Sequence, residues 1–240
     1  LANDYFQFQQ FRIEQAACAQ KVSTDACLLG AVADLRAATR VLDIGTGTGL
    51  LALMAAQRAP QATIEAIEID PAAAAQAAAN VAASPWPNRV AVRPLSLAAY
   101  AASQPAPFSH IICNPPFFRR SLAPPVAARA TARHESADSL PFGELIGFAA
   151  SHLLPGGSLT VLLPPPEMQQ FAGEARAGGL AEQARLTVRH RPGGRATRCI
   201  SQLGANCPAA VPEAKLIIQT ANGTYSEAFR ALLAGFYLAL

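Results

Sequence analysis

The stretch Arg40-Val41-Leu42-Asp43-Ile44-Gly45-Thr46-Gly47-Thr48-Gly49 decides how this chain is read. Its first half is a short, β-branched apolar run and its second half a glycine turn. Leu50 to Arg58 behind it carries apolar residues at helical spacing. Strand, glycine turn and helix in that order open a βαβ unit. Thr63 to Ile69 supplies the next strand, and Pro71 sits in the first turn of an alanine-rich helix that reaches Ala83. Further strands are expected at Arg89 to Arg93, His110 to Cys113, Ser158 to Leu163, Leu186 to His190 and Ala214 to Gln219. Helices are expected at Phe142 to Leu153 and Glu167 to Ala177. The sum is an α/β fold: a doubly wound, mostly parallel, seven-stranded sheet with helices on both faces. The span between the last two strands reads as a long loop bearing arginine and glycine. Residues 1–38 read as a partly helical N-terminal extension laid on a core of residues 39–240, with no linker that would divide the chain further.

Composition bounds the function. With 240 residues, 51% of them hydrophobic and 15% charged, the chain is long and apolar enough for a real core and too apolar for disorder. Five cysteines (Cys18, Cys27, Cys113, Cys199, Cys207) contain no C-x-x-C pair and leave an odd count, so no metal site and no disulfide framework is expected. No apolar run reaches the roughly 18 residues of a membrane span, and Leu1-Ala2-Asn3-Asp4 lacks a charged-then-apolar leader pattern, so a cytoplasmic chain without a membrane partner is expected. A formal charge of +3 is too small to prove nucleic-acid binding, but basic residues gather in Arg119 to Arg133 and Arg185 to Arg198.

In the glycine turn, Asp43, Gly45, Gly47 and Gly49 are the first candidates to hold a ligand, because glycine lets the backbone turn sharply and approach it closely over a helix N-terminus. A dinucleotide fingerprint would need glycine at position 50. That residue is Leu50, and the glycine falls one place early, which favours a nucleoside ligand without a pyrophosphate. Glu68, about 20 residues on at the end of the second strand, can accept hydrogen bonds from both hydroxyls of a ribose, with Asp70 as its competitor. Ile69 beside Glu68, and Asn114 after the fourth strand, are further candidates for the cofactor set.

Asn114-Pro115-Pro116-Phe117 follows the fourth strand directly, on the edge where ligands of such sheets collect. The two prolines hold the backbone extended, presetting the Asn114 side-chain oxygen and the Pro115 carbonyl as acceptors. Two acceptors gripping the hydrogens of an adenine amine would draw its delocalised lone pair out of the ring, help that is electrostatic and needs no base. Phe117 offers a flat face on which a base can stack. Asn114, Pro115 and Phe117 are therefore the candidate catalytic residues.

At these residues the chain resembles the amino-methyltransferases of the Rossmann-like S-adenosylmethionine class, with the motifs D-x-G-x-G-x-G, an acidic residue ending strand two, and (N/D)-P-P-(Y/F). Phe8 to Val32, Ala132-Arg133-His134-Glu135, Tyr225 to Phe229 and Gly235 to Leu238 further resemble the bacterial tRNA adenine-N6 methyltransferases acting beside the anticodon of a valine tRNA. The resemblance implies S-adenosylmethionine as cofactor, tRNA as substrate, and an N-terminal segment closing over the methionine part of the cofactor, with Lys21, Thr24 and Asp25 as candidate contacts. It also implies cofactor contacts at Ser96 and Leu97 after the third strand, and departs at Ser96, where related enzymes often carry an aspartate that accepts from the cofactor adenine.

Arg189, Arg191, Arg195 and Arg198 around Pro192-Gly193-Gly194, together with Arg119, Arg133 and His134 after the tetrapeptide, are candidate RNA contacts. A protein glutamine N5-methyltransferase is the main alternative, since a carboxamide nitrogen is delocalised like an adenine amine. Another RNA such as rRNA is a second alternative, and a nucleotide-binding module without catalysis a third. No DNA substrate is expected, since no span is free to form a target-recognition domain. The sequence does not decide the oligomeric state; a monomer is slightly favoured.

Overall fold

The computed structural model describes residues 3–115 and 140–239. Along the chain run β1 (Tyr5–Gln7), β2 (Arg12–Glu14), α1 (Thr24–Val32), β3 (Arg40–Ile44), α2 (Leu50–Arg58), β4 (Thr63–Ile67), α3 (Pro71–Ala82), β5 (Val90–Arg93), α4 (Leu97–Ala102) and β6 (Phe108–Cys113). After the tetrapeptide come α5 (Phe142–His152), β7 (Leu153–Leu163), α6 (Pro165–Ala177), β8 (Ala181–Arg189), β9 (Ala196–Gly204), β10 (Glu213–Ile217) and α7 (Glu227–Leu233). The main sheet has the order β10-β8-β9-β7-β6-β3-β4-β5. All neighbours are parallel except β9, which is antiparallel to both β7 and β8.

Alternation along β3 shows why these strands form the centre. Val41 faces a core built with α1, α2 and α7, whereas Leu42 and Ile44 face a second core built with α4, α5 and α6. A strand covered on both faces is apolar on both, which is why β3, β6 and β7 read as near-continuous hydrophobic runs. α1 lies so close to α2 that a Cβ on Gly30 would stand 2.5 Å from the Met54 sulfur. Among the described residues no helix is long and apolar enough to cross a membrane.

The main sheet has eight strands, one more than expected. The extra one is β9, in the span read as a loop. Its buried residues Cys199, Ile200 and Ser201 are consecutive, so no period of two marks it, and Arg198 and Gln202 give it a polar look. Pro192-Gly193-Gly194 is instead the turn of a β8–β9 hairpin, with Gly193 in the left-handed region at φ 71°. Ahead of α1, the N-terminal extension also carries two strands. β1 and β2 form an antiparallel hairpin whose Phe8, Phe11 and Ile13 are buried in the same core as α1 and α2. Phe8 bridges to Tyr237, and the Gln9 N–H donates to the Phe236 carbonyl, stitching the two chain ends together.

Topology fixes the place of the site. The parallel strands end on one edge, where β8 also ends and β9 begins, so the glycine loop, Glu68, Asn114 and the turn at 190–195 all lie on that edge.

Candidate active site

The glycine loop is tied down from beneath. The N–H groups of Gly45 and Thr46 both donate to the Ile67 carbonyl, at 2.9 and 3.0 Å, so the loop arches over the end of β4. Gly45 and Gly47 have φ of 71° and 55°, and a Cβ on either would point into open space. Side chains are therefore excluded by backbone conformation, and the space above the loop stays clear. Asp43, fully buried, accepts from the Thr46 hydroxyl and from the Ala52 N–H, which joins strand, loop and α2. Its other oxygen, Oδ1, is buried without a hydrogen-bond partner among the described residues. Burial pushes the Asp43 carboxyl up to about 7, against the pull of the Thr46 and Ala52 hydrogen bonds and with a further push from Glu68.

Glu68 stands just past β4, as its predicted role requires. Oε2 accepts from the Gly47 N–H at 2.8 Å and Oε1 from the Asp70 N–H at 3.0 Å. Each oxygen keeps a further lone pair for a ligand hydroxyl. Its competitor Asp70 is occupied differently, as the N-cap of α3 through the Ala72 N–H. Ile69 is 57% exposed on this edge.

Ile44 pairs with Cys113, so the next residues, Gly45 and Asn114, stand level across the edge. Asn114 is half-buried, yet its Oδ1 is buried and has no partner among the described residues. A carbonyl oxygen left in that state costs roughly 1–3 kcal/mol, so an unpaired one on a ligand-binding edge points to a donor supplied from outside. Pro115 is buried behind it. Beneath both, His110 is hydrogen-bonded to the Ser158 and Thr160 hydroxyls at 3.0 Å each. Burial pushes His110 down to about 4, which makes it a neutral core residue.

Other candidates have partners inside the fold. Ser96 is the N-cap of α4, its hydroxyl accepting from the Ala99 N–H, and the Leu97 side chain is buried, leaving its first-turn N–H as the group it can offer. Lys21 donates to the Gln15 carbonyl at 2.6 Å, and the Thr24 hydroxyl hydrogen-bonds Tyr237. Arg189 braces the hairpin turn by donating to the Gly194 carbonyl, and Arg198 forms a 2.7 Å ion pair with Asp25 of α1. Arg191 and Arg195 are exposed at the turn. Phe117, Arg119, Arg133 and His134 lie outside the described residues.

Sequence reasoning passed over Asn80 and Gln15. Asn80 is one of only two polar side chains in the alanine-rich α3, and asparagine is poorly suited to a helix interior, so its presence was a usable signal. Gln15 gives no comparable signal in a loop.

A glycine loop clear of side chains, a carboxylate just past β4 and two buried oxygens without partners among the described residues share one sheet edge, the arrangement of a Rossmann-like methyltransferase. The methyltransferase small domain model matches residues 18–167. A tRNA1(Val) (adenine(37)-N6)-methyltransferase of Bacteroides thetaiotaomicron is 41% identical over all of both chains. The protein of the same name from Pseudoalteromonas translucida is 41% identical over 97% of this chain and 98% of its own. This chain belongs to the family of those bacterial tRNA1(Val) (adenine(37)-N6)-methyltransferases. Among solved structures, a "predicted O-methyltransferase" from Agrobacterium tumefaciens superposes with TM-score 0.66 at 22% identity, covering 88% of this chain and 96% of that one. Pyrococcus horikoshii TYW2, in complex with MeSAdo, gives 0.56 at 16% identity, covering 85% and 72%. These two bear on the fold alone.

The chain uses S-adenosylmethionine, and its residues fit that group. Open space above Gly45 and Gly47, a Glu68 with lone pairs to spare and an Asp43 Oδ1 without a partner among the described residues fit a nucleoside that carries a ribose and an ammonium.

Proposed function

We propose that this chain methylates the N6 amine of an adenine in the anticodon loop of a tRNA, adenine 37 of a valine tRNA as in the names of its relatives. The observation that carries this reading is the buried Asn114 Oδ1, without a partner among the described residues and level with the glycine loop on the same sheet edge.

Glu68 would hold the ribose hydroxyls, Gly45, Gly47 and Gly49 would admit the cofactor, and Asp43 Oδ1 would face its ammonium. Ile69 would cover one face of the nucleoside, and Ser96 with the Leu97 N–H would meet its base. Lys21 and Thr24 belong to the N-terminal segment proposed to close over the methionine end. Bound there, S-adenosylmethionine supplies a methyl group already activated on a sulfonium. Asn114 Oδ1 and the Pro115 carbonyl accept the two hydrogens of the target amine. They draw its lone pair out of conjugation and stabilise the positive charge that grows on nitrogen during attack, the kind of preset electrostatic help that dominates many enzymes. Phe117 stacks on the target base. The extra proton then leaves to water.

The target base must be unstacked to reach the cleft, at a cost of a few kcal/mol that is smaller in a loop than in a helix. Arg191 and Arg195 are exposed on the same edge and are the proposed phosphate contacts, braced by Arg189 and Arg198. Arg119, Arg133 and His134 follow the tetrapeptide in sequence and are proposed to meet the same RNA.

Transfer of labelled methyl from S-adenosylmethionine to unmodified total tRNA, followed by nucleoside analysis, tests this function. N6-methyladenosine in tRNA is the expected product. Label in protein glutamine or in rRNA with unlabelled tRNA would overturn it.

A further inference from the structure

Behind the catalytic edge, the carboxamide of Asn80, 2% exposed in the third turn of α3, makes three hydrogen bonds. Its Oδ1 accepts from the Glu14 N–H at 2.9 Å, while Nδ2 donates to the Glu14 carbonyl at 2.8 Å and to the Thr48 carbonyl at 2.9 Å. Both backbone groups of Glu14, at the end of β2, are thus paired with one side chain, and that side chain is also bonded into the glycine loop. One turn earlier, Ala77 stands 3.4 Å from where a Cβ on Gly49 would sit, so α3 presses on the loop at two successive levels.

Glu14 leads into a short loop held in shape by Gln15, itself buried. The Gln15 Oε1 accepts from the Val22 N–H at 2.8 Å, its carbonyl accepts from Lys21 Nζ, and its Nε2 donates to the Asn3 carbonyl at 2.7 Å. The loop therefore starts and ends on Gln15. Cys18 within it is buried, and its thiol is pushed up by burial and then by the charges of Glu68 and Asp70.

We propose that Asn80 is a positioning residue for cofactor binding: its carboxamide locks the end of β2, and with it loop 15–22, to the glycine loop. Asn80 touches no cofactor atom in this scheme. It makes one rigid unit of two segments, 14–22 and 45–49, that are distant in sequence and must both be in place to hold the ligand. The inference rests on S-adenosylmethionine use alone and does not depend on the RNA proposed above.

The test is calorimetric titration of S-adenosylmethionine into the full chain and its Asn80→Ala and Gln15→Ala variants, without RNA. Deuterium exchange is followed in parallel at 14–22. Asn80→Ala is expected to raise the Kd about tenfold or more, since small displacements of a positioning element carry penalties of that size. Exchange at Glu14 and Val22 should quicken in the same variant. Gln15→Ala loosens the same loop with Asn80 intact, should move both readouts in the same direction, and decides the matter if Asn80→Ala does not fold. Under saturating cofactor, kcat should fall by much less than the affinity does, a split that general destabilisation would not produce. Unaltered Kd in a folded variant whose segment 14–22 exchanges faster would overturn the inference. A wild-type chain that bound S-adenosylmethionine but left tRNA unmodified would overturn only the proposed function.

Discussion

Replacing Asn114 by alanine should move activity and stability in opposite directions. In the free protein the Asn114 Oδ1 is buried without a partner among the described residues, so its deletion removes a penalty of roughly 1–3 kcal/mol. The side chain is half-buried, and the packing lost with its few atoms costs about 1 kcal/mol or less. The net effect on folding lies between zero and about 2 kcal/mol of stabilisation, and a chain of this size gains about 2–4 °C in Tm per kcal/mol. Catalysis should suffer in proportion to one lost electrostatic contact at the reacting atom, about 100- to 1,000-fold in kcat. Affinity for S-adenosylmethionine should change far less, because Glu68 and the glycine loop are untouched. Asn114→Asp keeps an acceptor at the same place and should retain more activity than alanine. The assay is labelled-methyl transfer under saturating cofactor, with Tm and cofactor Kd measured on the same preparations. A fall of several degrees in Tm with kcat within about tenfold of wild type would show that Asn114 merely ends a strand, and would refute the reasoning.

Asp43→Asn should expose a hidden pH dependence. Asp43 is raised to about 7 in the fold from 3.8, so the stability it allows is greatest below pH 4 and falls as pH rises toward 7. His110 is lowered to about 4 from 6.5, so its contribution is full above pH 6.5 and is lost as pH falls toward 4. At about 1.4 kcal/mol per pH unit each effect is on the order of 3–4 kcal/mol and the two oppose each other. Urea unfolding should show a nearly flat wild type between pH 4 and 6.5 and an acid-labile Asp43→Asn; parallel curves would contradict the assignment. Ammonium binding beside Asp43 Oδ1 favours its charged form, so S-adenosylmethionine should bind more tightly as pH rises from 6 to 8 and release protons, read by calorimetry in buffers of different ionisation enthalpy. Arg191→Ala should weaken tRNA binding and reduce the slope of log K against log salt by about one, and an unchanged slope would remove this hairpin turn from the RNA interface.

The central half of the fold was legible because its signals are local. The β3 strand and the positive-φ glycines that follow it force strand, turn and helix in sequence, and Glu68 and Asn114 then fall on the same edge by topology alone. β9 was hidden because Thr197, Arg198, Ser201 and Gln202 interrupt any apolar run of the kind that marks β3, and its arginine forms an ion pair with Asp25, far away in the chain. The Arg198 partner was hidden for the same reason, since Asp25 is brought near only by the fold. Asn80 shows the converse, since a polar residue in an alanine helix was visible while its two partners, 66 and 32 residues away, were not.

The most direct test of the account compares two transcripts of a valine tRNA, one with adenosine at position 37 and one with guanosine there, incubated with the purified chain and labelled S-adenosylmethionine. The account predicts label in the first transcript, recovered as N6-methyladenosine, and none in the second. Equal labelling of both, or label in neither with the chain itself binding cofactor, would contradict it.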